Sequence, residues 1–105
     1  FAAKALKEVG VLNAQIAPRY SGSYFDHVFG GGYAAGYYSY LWTEVLADNI
    51  AETFAHRGAL DPAVGLDFRT KVLSKGNTRD LMQTFTDFTG LQSPDASALL
   101  KARGL

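Results

Sequence analysis

The sequence predicts an all-α fold, with one glycine-rich loop, on three observations. No stretch of the chain keeps the strict alternation of apolar and polar residues that marks a half-buried strand. Helix-start signals occur at Asp61-Pro62, at Thr78 and at Ser93-Pro94-Asp95, where a capping side chain precedes helix-forming sequence. Glycine follows other helix-forming stretches, as at Gly10 and Gly58, where it favours helix termination.

These signals place the predicted elements in order along the chain. The first helix starts at Phe1 and ends near Gly10, and an irregular connector containing Pro18 follows it. The loop from His27 to Gly32 comes next. The remaining predicted elements are a second helix from about Ala34 to His56, a third from Asp61-Pro62 to about Ser74, a fourth from Thr78 to Asp87 or Phe88, and a short fifth from Ser93-Pro94-Asp95 to Gly104.

The second predicted helix separates into two faces when each residue is advanced by about 100°. Its apolar side, assigned to the core, carries Tyr38, Trp42, Val45 and Leu46. Tyr37, Tyr40 and Glu44 lie on the opposite side, and Tyr33 joins them if the helical turn extends that far back. The pattern therefore predicts that Tyr33 and Tyr40 face an open cleft while Trp42 is buried.

Length, charge and cysteine content exclude several classes of function. A chain of 105 residues forms one domain at most, and its ten basic residues balance ten acidic ones. That balance gives no electrostatic case for binding nucleic acid or an anionic membrane. The absence of cysteine excludes disulfides and thiolate metal sites. With no apolar run of about 20 residues and no visible signal peptide, the default expectation is a cytoplasmic protein.

The amino terminus indicates a piece of a longer protein. Phe1 is followed at once by helix-forming residues, with no capping residue ahead of them. A fragment of a larger helical body exposes apolar surface where its neighbour lay, so dimerisation of the fragment is expected.

The run from His27 to Trp42 carries the strongest chemical signal. It combines one imidazole, four phenols (Tyr33, Tyr37, Tyr38 and Tyr40) and four glycines (Gly30, Gly31, Gly32 and Gly36). Glycine allows close approach of the backbone to a ligand, and phenols and imidazoles donate to peptide carbonyls and oxyanions. The run is therefore interpreted as a substrate-contacting loop. The alternative is that the tyrosines are ordinary core or interface aromatics.

Other catalytic patterns are weak. His27 and His56 are the only histidines, and no H-E-x-x-H spacing occurs, so a zinc site made by this chain alone is not expected. The triple glycine lacks the lysine of a P-loop and the preceding strand of a dinucleotide fold. A nucleophile elbow is also missing.

The run from His27 to Glu44 resembles the segment downstream of the zinc motif in the thimet oligopeptidase and peptidyl-dipeptidase family of zinc metallopeptidases. Phe68-Arg69, the stretch 72–81 and the tail 98–105 resemble the carboxyl terminus of the same family, so that the resemblance covers nearly the whole chain. The length of the loop is more similar to the bacterial branch that includes oligopeptidase A. The resemblance implies a helical, carboxyl-terminal segment of a zincin-type catalytic domain, whose zinc ligands and general base lie upstream of residue 1.

The resemblance also implies roles for individual residues. Tyr40 would donate to the tetrahedral oxyanion, and His27 would assist it or bind substrate backbone. Tyr33 would contact substrate near the scissile bond, with Tyr37 as a secondary candidate, and Gly30, Gly31 and Gly32 would let the loop close over a short peptide. Zinc is then a cofactor of the parent enzyme and not of this chain alone.

Two functions of different classes remain open at this point. The first is the carboxyl-terminal piece of a zinc-dependent oligopeptidase or peptidyl-dipeptidase, whose partner is the amino-terminal remainder of the same enzyme. The second is a small stand-alone helical module that grips a partner through exposed tyrosines. The sequence does not distinguish internal cleavage of peptides from release of dipeptides from the carboxyl end.

Overall fold

A computed structural model describes all residues from 1 to 105 and divides them into two compact units. The first unit is Phe1–Tyr37 and the second is Tyr38–Leu105. Both contain helices and no strands, which confirms the predicted all-α class. None of the helices combines the length and the apolar character needed to cross a membrane.

The first unit holds two short helices, α1 (Ala2–Glu8) and α2 (Asp26–Phe29). Helix α1 ends as predicted, with Gly10 at a φ of 76°. The connector that follows it is irregular, also as predicted. Helix α2 is a difference from the sequence prediction, which assigned His27 onward to a loop. It forms because the N–H groups of Phe29 and Gly30 close one turn on the carbonyls of Phe25 and Asp26.

The second unit is built around its longest helix. The elements are α3 (Ser39–Arg57), α4 (Pro62–Phe68), a π-helical segment (Arg69–Leu73), α5 (Leu81–Thr89) and α6 (Ala96–Ala102). Helix α3 packs against α5 and α6, and the π-helical segment packs against α4 and α5.

Helix α3 begins five residues later than predicted, at Ser39 instead of Ala34. The residues before it form turns, and the N–H of Gly36 bonds to the carbonyl of Tyr33, three residues back, at 3.1 Å. Glycine disfavours the α-helix, which explains the late start. Tyr33 and Tyr37 therefore precede the helix, and the prediction that helical geometry aligns them with Tyr40 is wrong.

Aspartate side chains cap three helices of this unit. Asp61 accepts from the N–H of Ala63 at 2.8 Å ahead of Pro62, as predicted. Helix α5 is capped by Asp80, which accepts from Gln83 N–H at 2.7 Å, and not by Thr78. The hydroxyl of Thr78 instead donates to the carbonyl of Lys75 within the preceding turn, at 2.6 Å. Asp95 caps α6, so the proline before it lies outside the helix.

Three phenylalanine rings form the centre of the second unit. The ring centroids of Phe54, Phe68 and Phe88 lie 5.0–5.3 Å apart in tilted or edge-to-face pairs, which favour the aromatic quadrupoles. The guanidinium of Arg57 lies 5.2 Å from the centroid of Phe88. The same guanidinium pairs with Asp67 at 2.8 Å, and Lys71 contacts the same carboxylate at 3.0 Å. Apolar packing and an ion-pair network therefore join α3 to α4 and α5.

A buried amide attaches the last helix to α3. Asn49 is 2% exposed, and its Nδ2 donates to the carbonyl of Asp95 at 2.7 Å. The N–H of Asp95 donates back to Oδ1 of Asn49 at 3.1 Å. This two-way pairing satisfies both backbone groups of the residue that caps α6. Two exposed ion pairs, Lys101 to Glu52 and Arg103 to Glu44, add to the same helix pair.

Two residues that were assigned to the core are largely exposed. Tyr38 is 72% exposed and Trp42 is 55% exposed, so their predicted burial is wrong. Polar groups of α6 and of its two caps contact α3 only between Glu44 and Glu52. The first turn of α3 lies before that segment, and its aromatic side chains therefore receive no cover from α6.

Replacing Asn49 should destabilise the second unit. In Asn49→Ala the N–H and carbonyl of Asp95 lose their buried partners, which should cost about 1–3 kcal/mol in the free energy of unfolding, measured by urea titration. The matched control is Asn13→Ala, since Asn13 is exposed and accepts only from the N–H of Gln15. The control should change stability by less than about 0.5 kcal/mol. Equal effects in the two variants would contradict a structural role for the pairing.

Acid should weaken the second unit through Asp67. Hydrogen bonds from Lys71 and then Arg57 hold the pKa of this carboxyl below its ordinary value of 3.8. Because the folded-state pKa is the lower one, the stabilisation is complete well above pH 3.8 and is lost as the pH falls through the folded-state value. The free energy of unfolding should therefore fall on acidification, and less steeply in Asp67→Asn.

The matched control for this titration is Glu8→Gln. Glu8 belongs to an exposed pair with Lys4, at 3.9 Å, in the first unit. This variant should keep the acid dependence of the wild type. If Asp67→Asn also keeps it, the network around Asp67 does not contribute to acid stability.

Candidate functional site

The first unit contains a continuous chain of ring contacts, here called the aromatic cluster, made of Tyr20, Tyr24, Phe25, His27, Tyr33 and Tyr37. Tyr20 stacks on Phe25 with ring centroids 4.7 Å apart. Phe25 meets Tyr37 edge to face, also at 4.7 Å. The contacts continue through Tyr37 to His27, and the rings together fix the direction of side chains that belong to an irregular segment.

Three predicted site residues meet in this cluster. The imidazole of His27 lies 6.0 Å from the ring of Tyr33 and 6.1 Å from the ring of Tyr37, centroid to centroid. Tyr33 and Tyr37 are each 38% exposed, so both side chains are partly open to solvent. The N–H of Tyr33 also donates to the carbonyl of His27 at 3.2 Å, which ties the two residues through the backbone. An imidazole and two phenols within reach of one another can bind the carbonyl or amide groups of a peptide.

Two residues of the glycine run, Gly30 and Gly31, lie close to α2. A Cβ at Gly31 would lie 3.1 Å from the carbonyl oxygen of His27 and 3.3 Å from its Cα. A Cβ at Gly30 would clash with the carboxylate of Asp26. Gly32 adopts a φ of 82°, in the left-handed region that favours glycine. Gly31 therefore allows the backbone to lie close to His27, and Gly32 allows the turn that follows.

Tyr40 belongs to the second unit. It lies in the first turn of α3, its side chain is 50% exposed, and its carbonyl accepts from the hydroxyl of Thr43 at 3.1 Å. An exposed phenol on a regular helix is held more firmly than one on a loop, which suits a donor that must meet a developing charge. Tyr33 and Tyr40 are both exposed, but the open cleft that they were predicted to face stays a prediction, and the predicted burial of Trp42 is wrong.

The helix face shared by Tyr40 and Glu44 is covered in part. Nη2 of Arg103 donates to both oxygens of Glu44, at 2.8 and 2.7 Å. The hydrogen bonds that Arg103 donates to Glu44, together with the charge of that carboxylate, raise the pKa of Arg103 above its ordinary value. Helix α6 therefore occupies this face from Glu44 onward, and only the first turn of α3 keeps it open.

Among the 105 residues there is no group of three or more His, Cys, Asp or Glu side chains that could hold a metal ion. His27 lies within the aromatic cluster, and His56 lies in the last turn of α3, as predicted. These residues do not fit a zinc site. The phenols and the imidazole of the candidate residues can donate hydrogen bonds.

Sequence reasoning missed the supporting part of the aromatic cluster. Residues up to Phe25 were assigned to a connector without a role, yet Tyr20 and Phe25 form the base on which Tyr37 rests. The signal was available: three aromatic residues, Tyr20, Tyr24 and Phe25, occur within six positions of a segment that contains proline and glycine. An irregular segment rich in aromatic rings is more typical of a packed loop than of a linker.

Comparison with known proteins gives consistent matches. Residues 2–105 match the family model described as Peptidase family M3. The chain is 49% identical to dipeptidyl carboxypeptidase of Escherichia coli over 90 residues, which are 86% of this chain and 13% of that protein. It is 42% identical to oligopeptidase A of Haemophilus influenzae over 81 residues, 77% of this chain and 12% of that protein. The chain spans about an eighth of the length of these curated relatives.

A methyl group at position 31 should displace His27 from its ring partners. In Gly31→Ala the new Cβ meets backbone atoms of His27, so the turn must shift by a few tenths of an ångström. The ring-proton resonances of His27, which feel the ring currents of Tyr33 and Tyr37, should move in the NMR spectrum. Gly22→Ala is the control, because a Cβ at Gly22 meets nothing within 4 Å. Unmoved His27 resonances in Gly31→Ala would show that the close approach does not exist.

Proposed function

Because this chain belongs to peptidase family M3, we propose that it forms the carboxyl-terminal part of a zinc-dependent peptidase that hydrolyses short peptides. Two observations support the proposal. The family match spans residues 2–105, and the first unit gathers His27, Tyr33 and Tyr37 into one accessible cluster. A stand-alone interaction module would explain exposed tyrosines, but it would not explain membership of a peptidase family.

In this proposal Tyr40 stabilises the transition state. Its half-exposed phenol donates a hydrogen bond to the oxyanion that forms when the scissile carbonyl becomes tetrahedral. Because Tyr40 belongs to α3, the helix backbone sets the direction of its Cα–Cβ bond before substrate binds. A donor that is already aligned costs no reorganisation during the reaction, which is why such groups accelerate catalysis.

Tyr33, Tyr37 and His27 hold the substrate. Their side chains present O–H and N–H donors from one cluster, and a peptide backbone offers carbonyl acceptors at regular intervals. Gly30, Gly31 and Gly32 keep the backbone next to them free of side chains, so that an extended peptide can lie against the loop.

The zinc ion and the general base belong, in this proposal, to the part of the enzyme outside this chain. When bound there, the zinc supplies Lewis-acid activation of the peptide bond. Because the zinc and the general base are assigned to the rest of the enzyme, the chain should be inactive by itself. Its partners are the amino-terminal remainder of the enzyme and short peptides, and we propose that the enzyme works in the cytoplasm.

Removing one hydroxyl tests the role of Tyr40. In the full-length enzyme, Tyr40→Phe should lower kcat by at least about tenfold and by up to 10²–10³-fold, since one oxyanion donor is lost. KM should change little, because the bond is made mainly in the transition state. The readout is steady-state hydrolysis of a fluorogenic peptide, with the zinc content of each preparation measured in parallel.

Tyr38→Phe is the matched control, since Tyr38 carries the same hydroxyl two residues earlier and is 72% exposed. It should keep the wild-type kcat. Normal turnover by Tyr40→Phe at equal zinc content would reject the assignment of Tyr40, and an enzyme that cleaves no peptide would reject the proposed function itself.

A further inference from the structure

The first unit contains an open cavity of about 280 Å³, here called the Asp26 pocket, which shares two residues with the aromatic cluster. Its aromatic lining residues are Tyr24, Phe25 and Phe29, and Asp26 is the charged residue among them. Tyr24 is 61% exposed and Phe29 is 73% exposed, so these rings are open to a ligand. The volume lies near the lower limit for ligand pockets in proteins, which suits one side chain better than a cofactor.

The carboxylate of Asp26 has no structural partner in the chain. It is exposed, it takes part in none of the ion pairs, and it caps no helix. Among the other acidic side chains, only Asp48 also neither pairs nor caps. Ion pairs engage Glu8, Glu44, Glu52, Asp67 and Asp87, and helix caps engage Asp61, Asp80 and Asp95. The charge of Asp26 is therefore available to a ligand.

The backbone around Asp26 is nevertheless well defined. Its carbonyl accepts from the N–H groups of Gly30, at 2.6 Å, and of Gly31, at 2.8 Å. The glycine loop thus folds back onto the start of α2. A Cβ at position 30 would clash with Oδ1 of Asp26, so the carboxylate lies against the loop where Gly30 has no side chain. Gly30 also lines the pocket, which places this carboxylate at the pocket wall.

The Asp26 pocket adjoins the residues to which substrate binding is assigned above. Phe25 lines the pocket, and its ring also meets Tyr37 edge to face at 4.7 Å. Asp26 directly precedes His27 in α2, and successive side chains of a helix point about 100° apart. A peptide backbone held at His27 and Tyr37 therefore lies within reach of the pocket for one of its longer side chains.

A carboxylate beside aromatic rings is selective for cations. Ring faces attract an ammonium or guanidinium group and also cover the aliphatic stem that carries it. The carboxylate accepts charge-assisted hydrogen bonds from the same group. A neutral apolar side chain would displace water from Asp26 and offer no hydrogen bond in return, and an acidic one would be repelled. Among the side chains of a peptide, lysine and arginine fit both parts of the pocket.

We propose that the Asp26 pocket binds a lysine or arginine side chain of the peptide substrate. The proposal rests on the peptidase function proposed above and adds the substrate class: peptides with a basic residue at one fixed distance from the scissile bond. The distance is fixed because Asp26 and His27 are neighbours in the same helical turn. Asp26 is a specificity residue in this scheme, and the bond-breaking step does not involve it.

A series of quenched fluorescent peptides tests the proposal in the full-length enzyme. Each peptide is an alanine sequence with one lysine, which moves by one position from peptide to peptide, and its matched partner has methionine at the same place. The fluorophore acylates the amino terminus, so that lysine is the only cation, and mass spectrometry identifies the bond cleaved. At one position relative to that bond, lysine should give a kcat/KM about threefold to thirtyfold above methionine, the range expected for an exposed ion pair with a cation–π contact.

Two variants of Asp26 separate charge from structure. Asp26→Asn removes the charge and keeps the shape of the side chain, so the ratio of lysine to methionine should fall close to one through slower cleavage of the lysine peptide. Asp26→Lys reverses the charge, and a glutamate peptide should then be cleaved faster than the lysine peptide. If Asp26→Asn slows the lysine and methionine peptides equally, Asp26 has only a structural role and the proposal is overturned.

Glu8→Gln is the matched control. Glu8 is the other acidic residue among residues 1–37, and it pairs with Lys4 on an exposed surface. This variant should keep the wild-type ratio. A ratio that falls as far in Glu8→Gln as in Asp26→Asn would show that the net charge of the unit, and not the pocket, sets the preference.

The remaining outcomes distinguish this inference from the function on which it rests. A wild type that cleaves lysine and methionine peptides equally well at every position overturns the role of Asp26 and leaves the peptidase intact. A lysine preference that survives in Asp26→Asn does the same. A preference for unlabelled peptides with a free amino terminus, and none for lysine, would assign the pocket to the terminal ammonium group and overturn its assignment to a side chain. A wild type that cleaves no peptide rejects the proposed peptidase function, and the role of Asp26 with it.

Discussion

The pairing of Asn49 with the backbone of Asp95 is the constraint on which the second unit depends. It is the one place where a fully buried side chain joins α3 to the start of α6 by hydrogen bonds in both directions. Helix α6 has seven residues, too few to be stable without tertiary contacts. Its capping residue, Asp95, is held at Asn49, and in the helix that follows Ala98 and Leu99 are buried and Arg103 reaches Glu44. Helix α6 thereby supports α3, the helix that carries Tyr40, over the turns that follow its first one.

The first unit is stabilised by a different kind of contact. It has only two short helices and no buried residue, so ring contacts take the place of a core. Tyr20 and Phe25 support Tyr37, and the imidazole of His27 lies between Tyr37 and Tyr33. The absence of side chains at Gly30 and Gly31 favours this arrangement, because a methyl group would press on the carboxylate of Asp26 at position 30 and on the backbone of His27 at position 31. Binding residues on such a segment keep defined directions while their surfaces stay accessible.

The sequence predicted which residues make up the candidate site, but it did not predict how these residues are arranged in space. The density of phenols and glycines between His27 and Tyr40 indicated the candidate segment, and Tyr33 and Tyr40 are both exposed in the structure. The helical alignment of Tyr33 with Tyr40 failed, since Gly36 delays the start of α3. The support from Tyr20 was missed because ring stacking inside an irregular segment has no periodicity to reveal it.

By itself, the sequence determined the helical class, the helix ends marked by glycine and the cap at Asp61, because these depend on residues within a few positions of one another. Tertiary structure decided which surfaces are covered. Trp42 lies at the centre of an apolar stripe but beyond the reach of α6, and Asn49, a polar residue, is buried because the backbone of Asp95 meets it there. Burial is set by the position of another element, and a local pattern carries no information about that position.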